Sequence, residues 1–315
     1  MAWVTWRQHR LQLLIGLGLL GALALAAAIS GLPVRSAYHR DTLSSCLPPT
    51  TRSGCDIIVR HFEAQFSDGL RIVRYLAFIP VLAGVFVGAP LLAREYEQGT
   101  FRLAWTQAVT RRRWLVSKTA LLGVAALLGG VALGAIAMWW RHPFDTFQGR
   151  MSPSEFDIEG LVVPAYALFA LAVGIFAGAL LRHSVPAMCA ALGAFVGTRL
   201  LVTKVFRPHY LAPHHESAAG LAPSAHGHDW VLSNTLVDAA GRRITTGRED
   251  VAILHAQHAG IPAPDYLLSL GWRRALTFQP GDRFWTFQAI EAGGFVLLAL
   301  ALVVGSVWLV QRRRV

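Results

Sequence analysis

Long apolar runs separated by short polar stretches set the character of the chain. Runs at 11–29, 72–92, 114–140, 160–181, 185–206 and 284–310 approach or exceed the ~20 residues a helix needs to cross a bilayer. The stretches between them hold most of the Asp, Glu, Lys and Arg. The pattern predicts an all-α membrane protein with six transmembrane helices. The largest polar stretch, 207–283, breaks into strand-like pieces at 230–237 and 242–246, around a turn at 238–241, and a helix-like piece at 250–259. A small mixed extracytoplasmic domain is therefore expected between spans five and six.

The remaining segments fall into place around the spans. Residues 1–10, with Trp3 and Trp6 among Arg7, His9 and Arg10, read as an interfacial N-terminal segment. The basic start and the small residues at 26–30 also resemble a secretory signal peptide, but the apolar run is long for one. Residues 31–71 and 141–159 form outside loops, the first carrying a short surface helix at 56–66. Pro80 and Pro90 predict a bend in span two. The turn at 182–184 joins spans four and five into an antiparallel hairpin. Pairs of glycines four apart, Gly84/Gly88, Gly130/Gly134, Gly174/Gly178 and Gly193/Gly197, read as close helix packing rather than a specific dimer face. The chain closes with span six and a basic tail, 284–315.

Composition sharpens this and sets the orientation. Of 315 residues, 54% are hydrophobic and 15% charged, too little charge for the surface of a soluble protein of this size. A net charge of +11 would suggest nucleic acid in a soluble chain. Here, 12 of the 29 Lys and Arg but only 2 of the 18 Asp and Glu lie in 1–10, 94–118, the 182 turn and 311–315. That asymmetry is the positive-inside pattern, so both termini are assigned to the cytoplasm and nucleic acid is set aside.

Cys46 and Cys55 share an outside loop and are candidates for a disulfide, whereas Cys189 sits in an apolar run as a packing residue. Seven of the twelve histidines lie between 209 and 258. Without a nearby thiolate or a closed four-ligand spacing they read as solvated loop residues, and no metal site is assigned. There is no phosphate-binding loop, zinc-protease helix or nucleophile elbow, so no catalytic residue is expected and any ATP must be bound by another chain. Arg199 and Glu291 fall within spans five and six at matching depth, which allows an intramembrane ion pair. A gating contact and a purely structural pair are both open.

The loop 93–113 concentrates the remaining polarity. Glu97 is expected at the end of span two, with Gly99 releasing the chain into a turn. Thr100 is placed to cap a short helix whose Phe101, Leu103, Trp105 and Val109 form an apolar surface, and Arg111–Arg113 are placed to meet anionic headgroups. An ordinary basic loop that only sets topology fits the same residues. The sequence Arg94-Glu95-Tyr96-Glu97-Gln98-Gly99-Thr100, followed by Thr110-Arg111 and Lys118, resembles the E-x-E-x-G-T pattern of ABC-2 type permeases. In that family this segment holds the coupling helix that docks on the ATPase subunit. The resemblance implies a coupling site at Glu95, Glu97, Gly99, Thr100, Phe101, Trp105 and Arg111, an ABC ATPase partner binding ATP and Mg, a second permease chain, and a place in the cytoplasmic membrane as an exporter. The run Arg-Phe-Trp-Thr-Phe-Gln-Ala-Ile-Glu at 283–291 looks like a branch common in actinobacteria, and 27 Arg against 2 Lys suits a high-GC genome. Two other classes stay open: a self-sufficient secondary transporter or channel, and a membrane-anchored metal-binding or sensor protein.

Overall fold

A computed structural model describes residues 2–40, 43, 55–99, 111–219 and 228–312. Among the described residues, six helices are long and apolar enough to cross a membrane: Leu13–Arg40, Ile57–Glu97, Arg112–Arg141, Val162–Leu181, Ser184–His209 and Gly281–Arg312. We call these spans one to six. Each satisfies its backbone groups internally, as a helix in hydrocarbon must. The end of the bundle bearing Glu97 and the 182–184 turn is termed the lower end, and the end bearing loop 142–161 the upper end.

Span four is the central post. Sixteen of its 20 residues are buried, which places it in contact on all sides. Spans two, three, five and six pack around it, and span one lies against span three. The close approach of spans two and four rests on missing side chains. A Cβ on Gly84 would lie 2.4 Å from the Ala170 carbonyl oxygen, and one on Gly174 would lie 2.3 Å from that of Gly84. Gly130 similarly admits Pro164, whereas Gly193 and Gly197 of span five meet nothing within 4 Å.

Two helices run on beyond their expected ends. The helix containing span one is continuous from Ala2 to Arg40, taking in the N-terminal segment and the first ten residues of the expected outside loop. The expected surface helix at 56–66 is likewise the start of a continuous helical path from Cys55 to Glu97. The reason lies in the buried stripe of Cys55–Arg74: Phe62, Leu70 and Val73 face inward at helical spacing. Phe62 meets Phe66, Phe144 and Phe147, and Trp140 stacks on Phe144 at 5.5 Å. The expected bend in span two appears as two changes of helical pitch. Pro80 has no N–H for the Leu76 carbonyl, which accepts from Ile79 instead in a 3-10 turn at Tyr75–Phe78. A π segment at Gly84–Gly88 precedes Pro90.

Between spans five and six lies a three-stranded antiparallel sheet, order β1–β3–β2, with β1 His214–Ala219, β2 Trp230–Val237 and β3 Arg273–Gln279. The expected local hairpin is reduced to a single bridge, Val237 to Arg243, because β2 pairs with the distant β3. Leu236, Ile244, Ala252, Leu267 and Trp272 form its core beneath helices Thr246–His258 and Ala263–Ser269.

Candidate functional site

Polar side chains are brought together at both ends of the bundle. At the lower end, span two stops at Glu97, and Gly99 takes φ +67° while its N–H bonds the Tyr96 carbonyl at 3.3 Å. That conformation favours glycine and ends the helix. Glu95 pairs with Lys118 of span three, which is 5% exposed and lies 4.5 Å over the Trp114 ring. Glu97 reaches across to span five. Its carboxylate accepts the Ser184 backbone N–H at 2.8 Å and the Ser184 hydroxyl at 2.6 Å. It thereby satisfies a free donor at a helix start, where the dipole favours negative charge. Arg182 ends span four in the left-handed conformation (φ 60°) and lies 5.3 Å over Tyr96. The two carboxylates fasten span two to spans three and five.

At the upper end, loop 142–161 and its neighbours hold two connected ionic groups. In the first, Arg207 is fully buried and donates to both Glu291 oxygens, at 2.8 and 2.6 Å, and to Asp157 at 2.6 Å. Arg199 pairs closely with Asp157, reaches Glu291 at 3.7 Å and lies 3.7 Å over the Tyr166 ring. The Tyr166 and Tyr210 hydroxyls both donate to Glu291. In the second, buried Arg141 meets Glu159 at 2.6 Å, Asp145 at 3.2 Å and Glu155 at 3.3 Å. Arg150 meets Glu159 at 2.8 Å, and Arg74 of span two meets Glu155 at 2.7 Å. Five arginines thus face five carboxylates. Such matching is what makes buried charge tolerable, since each desolvated ion needs close partners. Gln288 joins the same layer, accepting the Val162 N–H at 2.9 Å and donating to the Phe156 carbonyl at 3.0 Å.

Protonation reflects these surroundings. Burial, with the Glu159 charge beside it, pushes Asp145 from 3.8 up to about 7 despite Arg141 and Arg150. Burial also acts to raise Glu155, but the Ser152 and Ser154 hydroxyls and the arginines outweigh it and hold that carboxyl below its ordinary range. The Tyr210 hydroxyl is held well above its usual range by burial and by the Glu291 charge.

Residues 17–207 match the family described as ABC-2 membrane transporter related. The chain belongs to that family. It is a multi-pass membrane protein of the ABC transporter permease type. No individual curated protein matches it. The matched region of this ABC-2 chain takes in the lower contacts entirely, together with loop 142–161, Arg199 and Arg207. Glu291 lies beyond it.

Of the site residues expected from sequence, Glu95, Glu97 and Gly99 cluster at the lower end, with both carboxylates turned toward neighbouring spans. Thr100, Phe101 and Trp105 lie outside the described residues, and Arg111 opens the span-three helix. Arg199 and Glu291 do approach each other, but each has a closer partner, Asp157 and Arg207 respectively. Cys55 is disulfide-bonded and Cys189 is a free, exposed thiol, while Cys46 lies outside the described residues. Among the described residues no group of three or more His, Cys, Asp or Glu side chains could hold a metal ion.

Sequence reasoning passed over Arg207, because it counted as the first residue outside span five. A π turn at Val202–Phe206 changes that. Along an unbroken α-helix Arg207 would point roughly 120° away from the buried Phe195. The π turn absorbs one residue, which reduces the offset to roughly 20° and turns the guanidinium inward. Asp157 carried no signal beyond being an acid in a loop.

Proposed function

We propose that this chain is the permease subunit of an ATP-driven exporter. Two such chains form the membrane pathway in the cytoplasmic membrane, and each docks an ABC ATPase subunit through segment 93–113. The lower end is then cytoplasmic, in keeping with the basic residues at 10, 94, 111–113, 182 and 312–314. ATP and Mg are bound by the partner, whose cycle supplies the energy, and the chain forms no covalent intermediate.

The observation that carries this reading is the double attachment at the end of span two. A docking segment must pass a displacement to the bundle, and rigid, charge-assisted contacts do this better than apolar ones that slide. Glu95 to Lys118 and Glu97 to Ser184 supply such contacts to two further spans, at the start of that segment. The test is co-expression with the ATPase encoded beside it, followed by affinity capture in mild detergent. Stoichiometric ATPase is expected in the eluate. An eluate free of ATPase would remove the basis for this function.

A further inference from the structure

We infer that span five is the moving rod of this protein, held by its two ends, with Ser184 and Asp157 as the positioning residues that set its rest position. The inference rests on the proposed docking at 93–113 for its purpose, but not for its test. Its basis is how unevenly span five is held. Over Ser184–Leu201 only Ala187, Ala191 and Phe195 are buried, a narrow stripe flanked by half-buried Met188, against 16 of 20 in span four. Two of those three are alanines, which bury little area. Phe195, its ring 5.9 Å from Phe169, is the one large side chain fully buried there, with Met188 half-buried beside it. The opposite face carries Cys189, Gly193 and Gly197, with nothing within 4 Å of either glycine.

The firm contacts lie at the extremities. At the lower end Glu97 grips the first turn through the Ser184 N–H and hydroxyl. At the upper end Arg199 and Arg207 are gripped by Asp157 and Glu291. From Ser184 to Arg199 the helix spans about 22 Å, at 1.5 Å per residue. A helix that long resists bending, so a thin apolar stripe lets it tilt as one piece when either end is released. Glu97 stands two residues before Gly99, on the same helix end from which the docking segment departs. A displacement there reaches Ser184 directly and the upper ionic group through the helix. Asp157 is on the loop and Glu291 on span six, so the upper contacts are made to elements that need not follow.

Cys189 offers a native reporter close to the lower end. The full-length chain is reconstituted in lipid nanodiscs under non-reducing conditions, and the rate of Cys189 alkylation by N-ethylmaleimide is followed by intact mass. Asp157→Asn weakens the upper grip from outside span five, far from Cys189. A rise of about tenfold in the Cys189 rate is expected, because tilting carries this lipid-facing thiol toward water, where the reactive thiolate forms. A control thiol, Leu128→Cys in a Cys189→Ser background, reports span three and is expected to stay within about twofold. Ser184→Ala, at a surface position that leaves packing intact, serves as the reciprocal variant: hydrogen exchange of the amides at 199–206 is expected to quicken. An unchanged Cys189 rate in Asp157→Asn, an equal rise at the span-three thiol, or unaltered exchange at 199–206 in Ser184→Ala each overturns the inference. The chain is assayed alone, so failed ATPase capture leaves the result standing, and a static span five leaves the docking reading standing.

Discussion

Arg207→Met is expected to be the most damaging single change at the upper end. The side chain is fully buried and makes three charge-assisted hydrogen bonds, two to Glu291 and one to Asp157. Methionine preserves much of the volume but leaves two carboxylates facing Arg199 alone. Breaking one side of a buried pair costs about 3–5 kcal/mol, mostly because the partner charge stays desolvated. At roughly 2 °C per kcal/mol for a chain of this size, Tm should fall by about 6–10 °C. Arg199→Met should cost less, about 1–3 kcal/mol, because its bond to Asp157 is its one close ionic contact and its side chain is 14% exposed. The double variant Arg207→Met/Glu291→Met leaves Arg199 and Asp157 balanced. It should recover most of the loss, since exchanging a buried pair for packed apolar residues is close to neutral. The assay is thermal unfolding of the purified chain in detergent, read by fluorescence-detected size exclusion. A larger drop for Arg199→Met than for Arg207→Met, or a double variant no better than the single, would refute this ranking.

Three further outcomes are expected. Gly174→Ala places a methyl 2.3 Å from the Gly84 oxygen and should cost about 1–3 kcal/mol, whereas Gly193→Ala, which meets nothing, should leave Tm of the same preparation unchanged. Asp145 has a folded pKa near 7, above its ordinary 3.8, so the folded state holds the extra proton. Its contribution to stability is present below about pH 4 and is lost as pH rises through about 7; Asp145→Asn should therefore show a flatter decline of Tm between pH 5 and 8, and parallel curves would contradict this. Under non-reducing conditions the unfolded chain should take up one maleimide, and three after reduction, as a Cys46–Cys55 bond requires; three before reduction would exclude that bond.

Much of the architecture was legible because it depends on run length and hydropathy. Six spans, the sheet-containing insertion and the tight 182–184 turn follow from the apolar runs and the polar breaks between them. The extensions of spans one and two were missed because residues 31–40 and 55–71 are polar on average, and only their inward stripes hold them helical. At the lower end, Glu95 and Glu97 stood out by pattern, but their partners Lys118 and Ser184 are fixed by tertiary packing. Depth counting brought Arg199 and Glu291 together, which the 3.7 Å approach matches. It could not see Arg207, because a π turn shifts helical phase without any residue type that announces it. Loop 142–161 read as a short connector, although its acids neutralise arginines from spans two, three and five as well as its own Arg150.

The five-to-five match of charges in the upper layer has an electrical consequence. Above the Asp145 pKa of about 7, where all ten groups are ionised, the layer as a unit carries no net charge, so shifting it within the membrane field does no net work. A single uncompensated charge crossing the whole field would instead exchange about 2.3 kcal/mol per 100 mV. A shift of the whole layer therefore does little electrical work, whereas a tilt that carries Arg199 and Arg207 away from Asp157 and Glu291 moves net charge and responds to membrane potential. Removing Arg207 leaves an unmatched negative charge, and with it the means for voltage to favour one arrangement over another.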